Sequence, residues 1–281
     1  MRFFYLISII FAGAFQNIIK KLFAQKTSGK GVYFFSLLTS LAAMLFFAIT
    51  SGGFEWNAEL LLYAGLFALS YVTAMVSSIT AVACGALSIT SLIISYSLMV
   101  PTVYGLIFLK DPISFGLLPG LALLAISLFL INQKNTDSPI TFKWIICVLI
   151  AFAGSGMCSV FQKMQQNAFD GAYKNEFMIL SLAIVVVILS ILVIKKERKE
   201  IKAVAGVGWT ALACGIANGI VNLFVMILSN IMPVSLMFPM ISAGGIVITY
   251  LFSRFFYKEK LTKKQFAGVV IGIVSVVFLN L

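Results

Sequence analysis

Long stretches without a single charged residue dominate the chain. They cover residues 3–19, 31–54, 60–109, 112–133, 144–162, 177–194, 203–253 and 265–281. One membrane span needs about 20 apolar residues, with roughly 17 as the lower limit. Six of these windows fit one helix each, and the two long ones, 60–109 and 203–253, fit two each. The pattern therefore predicts ten helices. Hydrocarbon offers no partner to backbone N–H and C=O groups, so a spanning segment must pair its own, and helices do so. The alternating ten-residue segments of a membrane barrel are not seen. The expected fold class is an all-α membrane protein with ten transmembrane helices.

Composition agrees. Of 281 residues, 61% are hydrophobic and 10% charged, against roughly 25% charged in a soluble domain. Met1-Arg2 before an apolar run has the outline of a secretory leader. Gln16, Asn17 and Lys20-Lys21 then follow with no small-x-small cleavage pattern, so the run is expected to be a retained first helix. Cys84, Cys147, Cys158 and Cys214 all lie in apolar windows, no two form a CxxC pair, and the chain has no histidine. Metal-ligand spacing is missing, so the cysteines are expected to be small buried hydrophobes and no metal or other cofactor is expected.

The two fifty-residue windows lie roughly half a chain apart, and features recur at a distance of 148 residues. Phe108-Leu109-Lys110-Asp111-Pro112-Ile113-Ser114 falls on Phe256-Tyr257-Lys258-Glu259-Lys260-Leu261-Thr262, and Gly120 falls on Gly268. Near the start of each half, Ile18-Ile19-Lys20-Lys21-Leu22 is similar to Val160-Phe161-Gln162-Lys163-Met164, and Phe11-Ala12-Gly13 to Phe152-Ala153-Gly154. The polar run 132–139 suits a junction. The expected division is 1–138 and 139–281, five helices each. Five is odd, so the second half enters the membrane from the opposite side. Inverted repeats of this kind are characteristic of secondary transporters, with the substrate site near mid-membrane between the halves. The plainer alternative is a duplicated scaffold.

The closing passage, from Phe256 through Lys258-Glu259-Lys260-Leu261-Thr262 and Gln265 to Gly268 and Gly272, resembles the "GERLT..Q..G...G" passage of EamA-type members of the drug/metabolite transporter superfamily. Lys258 stands where that family often has glycine. Lys110-Asp111-Pro112-Ile113-Ser114 is a degraded copy in the first half. Ala12-Gly13-Ala14-Phe15-Gln16-Asn17-Ile18-Ile19-Lys20 resembles the family's "WGSNFVAIK" without its tryptophan. The resemblance covers the whole chain and implies a ten-helix transporter. It carries no single substrate.

No acidic residue lies within the windows; Glu55 and Glu59 precede helix 3, and Glu176 begins helix 7. A buried carboxylate is the usual proton carrier inside a membrane, so carboxylate-coupled cation antiport is not expected. Uniport, exchange or coupling through an end-of-helix acid stay open. Neutral polar residues occupy the spans instead. Asn218 and Asn222 share a face at i, i+4, and Ser70, Thr73 and Ser77 share another. Ser70 falls on Asn218 at the 148-residue distance. Gln16, Asn17, Tyr96, Ser159 and Tyr250 complete the candidate substrate-binding set. Each could instead be helix–helix glue, worth about 0.6 kcal/mol on average; two nearby amides are costly in lipid unless wet or paired. Pro101 and Pro239 interrupt apolar runs and are expected to kink their helices. Gly116-x-x-x-Gly120 and Gly268-x-x-x-Gly272 suit close helix packing.

The net charge of +11 is unevenly placed. The N-terminus and even-numbered connections hold four Lys and Arg, and the odd-numbered connections hold sixteen. Such a distribution fits a membrane surface rather than nucleic acid. The basic side is expected to be cytoplasmic, which puts both termini outside, opposite to the orientation usual in the resembling family. No Walker loop or nucleophile–base constellation is present, so neither ATP hydrolysis nor catalysis is expected. Nor is the repeated pore loop of a channel. The expected partners are a small-molecule substrate and the lipid bilayer of the cell membrane, with the chain acting as a monomer or homodimer. The expected function is export or exchange of a small metabolite or drug-like solute, with a channel or a non-transport scaffold as alternatives.

Overall fold

A computed structural model of the chain describes residues 1–27, 30–84, 90, 93–94, 96–131, 141–201, 206–257 and 262–279. The expected junction 132–139 and the stretch 258–261 lie outside the described residues, as do the side chains of Cys84 and Tyr250. Ten α-helices form among the described residues: α1 (Arg2–Thr27), α2 (Val32–Thr50), α3 (Leu60–Cys84), α4 (Met99–Phe108), α5 (Leu117–Ile131), α6 (Phe142–Ala168), α7 (Lys174–Lys196), α8 (Gly208–Ser229), α9 (Val234–Tyr257) and α10 (Lys263–Leu279). Six of them, α1, α2, α3, α6, α7 and α8, are long and apolar enough to cross a membrane. The apolar helical stretches 96–108, 117–130, 234–245 and 266–279 are shorter. In the window 112–133, Pro112 to Gly116 stay out of the helix, and Leu117 N–H closes a turn onto Ser114 C=O at 3.1 Å. Proline donates no N–H and biases its predecessor away from helix, which delays the start.

The helices gather into two compact units that draw on both sequence halves. The first holds residues 1–72 and 161–230, the second 73–160 and 231–281.

In the first unit α2 packs on α7 and α8, and α8 also packs on α1. The ends of α2 show why α2 and α7 run antiparallel. The first N–H groups of a helix have no partner within it. Here Gly31, Tyr33 and Phe34 donate theirs to carboxylates beyond the end of α7: Gly31 to Glu200 at 3.0 Å, Tyr33 and Phe34 to the two oxygens of Glu197 at 3.1 and 2.8 Å. Negative charge at a helix N-terminus also meets the positive end of its dipole. At the other end of α2, Asn175 near the start of α7 donates to Thr50 C=O at 3.2 Å. The α2–α8 crossing is closer still. A Cβ added to Gly215 would lie 2.5 Å from both Ala42 Cβ and Thr39 C=O, and one at Gly219 2.4 Å from the Phe46 ring. This Gly215-x-x-x-Gly219 pair lets the backbones touch, as small residues do in membranes.

In the second unit α5 packs on α10, and α9 packs on α4, α5 and α10. Ser127 Oγ on α5 donates to Gly268 C=O at 2.7 Å, and Ser275 Oγ on α10 donates to Gly120 C=O at 2.8 Å. These two bonds exchange with one another under the 148-residue displacement and show the helices to be antiparallel. One glycine of each expected pair is closely packed: Gly120 has no room for a Cβ against Leu279, nor Gly272 against Ser127. Pro239 lies inside α9. Pro101 stands near the N-terminal end of α4. It is the third residue of α4, directly after a 3₁₀ turn at Tyr96–Leu98. Its missing N–H there frees the Ser97 carbonyl, against which Gly156 of α6 packs, a Cβ at Gly156 falling 2.7 Å from that oxygen. Asp111 accepts from Ser235 N–H at 2.9 Å and so caps α9.

Gly215→Val is expected to destabilise the protein by about 1–3 kcal/mol, the usual penalty for overpacking against atoms that cannot move. Gly245→Val, at a position with open space around the Cβ, should have a much smaller effect. Thermal unfolding in detergent would measure both, and equal melting temperatures would refute the close α2–α8 crossing.

Candidate functional site

The first unit contains a run of side-chain amides that sequence patterning shows only in part. On α8, Asn218 and Asn222 are one helical turn apart, so both side chains leave the same face. The glycines beside them meet α2, and the asparagines bond to residues of α1 and α6. Gln16 of α1 is 6% exposed and Gln162 of α6 is 4% exposed. Gln162 Nε2 donates to Asn222 Oδ1 at 2.7 Å, Asn222 Nδ2 donates to Asn218 Oδ1 at 3.0 Å, and Asn218 Nδ2 donates to Gln16 Oε1 at 3.4 Å. The dipoles thus point the same way from α6 through α8 to α1. Asn222 Nδ2 also reaches Asn218 C=O at 2.8 Å, and Gln162 Nε2 meets the sulfur of the fully buried Met178 at 3.8 Å.

One turn further along α6, Gln165 and Gln166 are buried and hydrogen-bonded to each other. Gln165 donates to Ala172 C=O at 3.0 Å, and Gln166 accepts from Asn230 beyond the end of α8 at 2.8 Å. Lys163 Nζ donates to Ser229 C=O at 2.6 Å, a cation at a helix C-terminus where the dipole is negative. Gln162, Gln165 and Gln166 were not among the sequence-predicted site residues. Their i, i+3, i+4 spacing is the signal that would have found them, but Lys163 ends the charge-free window just after Gln162.

The other candidates are placed as follows. Asn17 is exposed on α1, and Ser70 is half-buried in the first unit. Thr73, Ser77 and Ser159 are half-buried in the second unit. Tyr96, also in the second unit, donates its hydroxyl to Ala125 C=O at 2.7 Å. It borders a small cavity lined mainly by Met99, Leu121, Leu124, Leu128, Pro239 and Ser242. Three of the ten predicted residues, Gln16, Asn218 and Asn222, therefore form one connected group.

The amides are neutral, and each offers both donor and acceptor. Such a group can exchange one of its internal bonds for a bond to a polar solute without moving net charge. The longest bond in the run, from Asn218 to Gln16, joins the second sequence half to the first.

Apolar helices of this length and number make the chain a multi-pass membrane protein, and comparison with known proteins gives its class. The model of the EamA-like transporter family matches residues 142–281. A solved chain described as "Crystal structure of protein" is similar over 99% of this chain and 98% of that one, with a TM-score of 0.80 and 12% sequence identity, a likeness of fold. No curated protein matches the chain. The chain belongs to the EamA-like transporter family, part of the drug/metabolite transporter superfamily.

Asn222→Leu should lower stability by about 1–2 kcal/mol, because it leaves the buried Gln162 amide without its partner. Gln162→Leu added to Asn222→Leu should restore much of that loss, since an apolar pair leaves nothing unsatisfied. Unfolding in detergent of both single variants and the double variant gives the coupling; strict additivity would refute the Gln162–Asn222 bond.

Proposed function

We propose that the protein is a secondary transporter that moves a small metabolite or drug-like solute across the cell membrane by alternating access, as an exporter or exchanger. The observation that carries this reading is the buried amide run from Gln162 through Asn222 and Asn218 to Gln16, which links residues of both sequence halves. Buried amides in lipid are costly unless paired or wet. A set that pairs internally when empty and can pair with a solute when occupied meets that demand in both states. The 3.4 Å contact between Asn218 and Gln16 is the weakest link and the natural place for the solute to enter. The reciprocal serine–carbonyl bonds of α5 and α10 support reading residues 1–138 and 139–281 as two inverted repeats. The solute site then belongs between the repeats, where alternating access of an inverted-repeat transporter requires it.

The orientation follows from charge. With sixteen basic residues on one set of short connections and four on the other, the basic set belongs in the cytoplasm and both termini outside.

In liposomes, the purified protein should exchange labelled members of a metabolite pool (amino acids, polyamines, choline-like cations, nucleobases) with saturation. Asn218→Ala and Asn222→Ala should each reduce the rate at least tenfold while expression is retained. Unsaturable conductance would favour a channel, and no flux from well-folded protein would favour a scaffold. Normal flux in both variants would remove the α8 face from the site. A C-terminal reporter that matures only in the cytoplasm should stay dark; a bright signal would reverse the orientation.

A further inference from the structure

One end of the first unit carries a concentration of exposed cations that transport does not explain. The last turn of α1 supplies Lys26, the connection after it Lys30, and the end of α7 Lys195, Lys196, Arg198 and Lys199; all six are exposed. They are brought together by contacts within the unit. Lys26 Nζ lies 5.8 Å from the centroid of the Trp209 ring at the start of α8. Lys196 Nζ lies 5.5 Å from the centroid of Tyr33 at the start of α2. Glu197 and Glu200 tie the two connections together through Gly31, Tyr33 and Phe34.

Glu197 and Glu200 are the acidic residues interleaved with this basic run. Their carboxylates are turned onto the α2 N-terminus, and Glu197 is only 7% exposed. The negative charge that would offset the lysines at the surface is therefore spent on capping a helix, and the cations are left facing outward. The patch lies where four apolar helices end. Trp209 is 53% exposed and Ile194 62% exposed beside it. A ring with an apolar body and a polar N–H is the side chain that settles at headgroup depth. Clusters of four to eight Lys and Arg at that depth attract acidic lipid headgroups, and a guanidinium pairs with a phosphate through two parallel bonds.

We propose that the basic end formed by the α1–α2 connection and the end of α7 is a binding site for acidic phospholipid headgroups. Lys195, Lys196, Arg198 and Lys199 supply the charge, and Trp209 marks the depth at which the acyl chains begin. The site is independent of what the protein transports.

Native mass spectrometry of the full chain released from neutral detergent, titrated with phosphatidylglycerol or phosphatidylcholine, tests this. The wild type should retain phosphatidylglycerol at least tenfold more tightly than phosphatidylcholine. Each charge removed should weaken phosphatidylglycerol binding about fivefold. Lys195→Gln/Lys196→Gln/Arg198→Gln/Lys199→Gln should abolish the preference. Lys143→Gln/Lys263→Gln/Lys264→Gln, which removes charge from the second unit, should keep it. Elution from a sizing column checks that both variants fold, and the pairs Lys195→Gln/Lys196→Gln and Arg198→Gln/Lys199→Gln give intermediate losses if the full set does not. Equal retention of the two lipids, a preference that survives the four-residue change, or complete displacement by millimolar inorganic phosphate would each overturn the assignment, the last in favour of a soluble-anion site.

Discussion

Hydrocarbon gives a polar group nothing to bond to, and most of the structure follows from that. The first response is the helix itself, which pairs its own backbone. The second is found at helix ends, where pairing within the helix runs out. Glu197 and Glu200 supply acceptors to the start of α2, Asn175 a donor to its last turn, and Asp111 an acceptor to the start of α9. Each cap joins segments far apart in the chain. Satisfying a local need therefore also sets tertiary neighbours.

The same demand explains how the helices are held side by side. Lipid tails are as apolar as leucine, so apolar contact alone gives little preference for protein over lipid. Close approach and hydrogen bonding decide instead. Gly215 and Gly219 let α8 touch α2, and Ser127 and Ser275 bond across α5 and α10 to carbonyls that already serve their own helices. Within the first unit, Gly215, Gly219, Asn218 and Asn222 lie along adjoining edges of one face of α8. The glycines meet α2, and the asparagines beside them bond to α1 and α6.

The candidate site was half legible. Asn218 and Asn222 stood out because two amides one turn apart in an apolar window have no cheap fate. Gln16 stood out for being polar in the first window. Gln162 did not, because Lys163 beside it ended the window and made the whole turn look like a helix end. In the folded chain α6 continues to Ala168, and the Lys163 ammonium reaches the carbonyl end of α8. A long flexible side chain can carry its charge away from its backbone, so a charge-based window closes too early. Tyr96, another candidate, donates its hydroxyl to Ala125 C=O in the second unit.

The number of helices, their class, and the family were written in the order of the residues, because hydrophobic length and charge placement act locally and need no partner. The 148-residue recurrence was also visible, as matching residues along the chain. Which helices meet was not. The compact units take α1 and α2 from one half and α7 and α8 from the other, a grouping that depends on backbone approach at glycines and on caps reaching across more than a hundred residues. Pro101 makes the point for a single residue. Its sequence context reads as a broken helix, and only the fold shows that the Ser97 carbonyl left free by its missing N–H lies against Gly156 of α6. Local chemistry determined what each segment could be, and three-dimensional contact decided which polar atoms found one another.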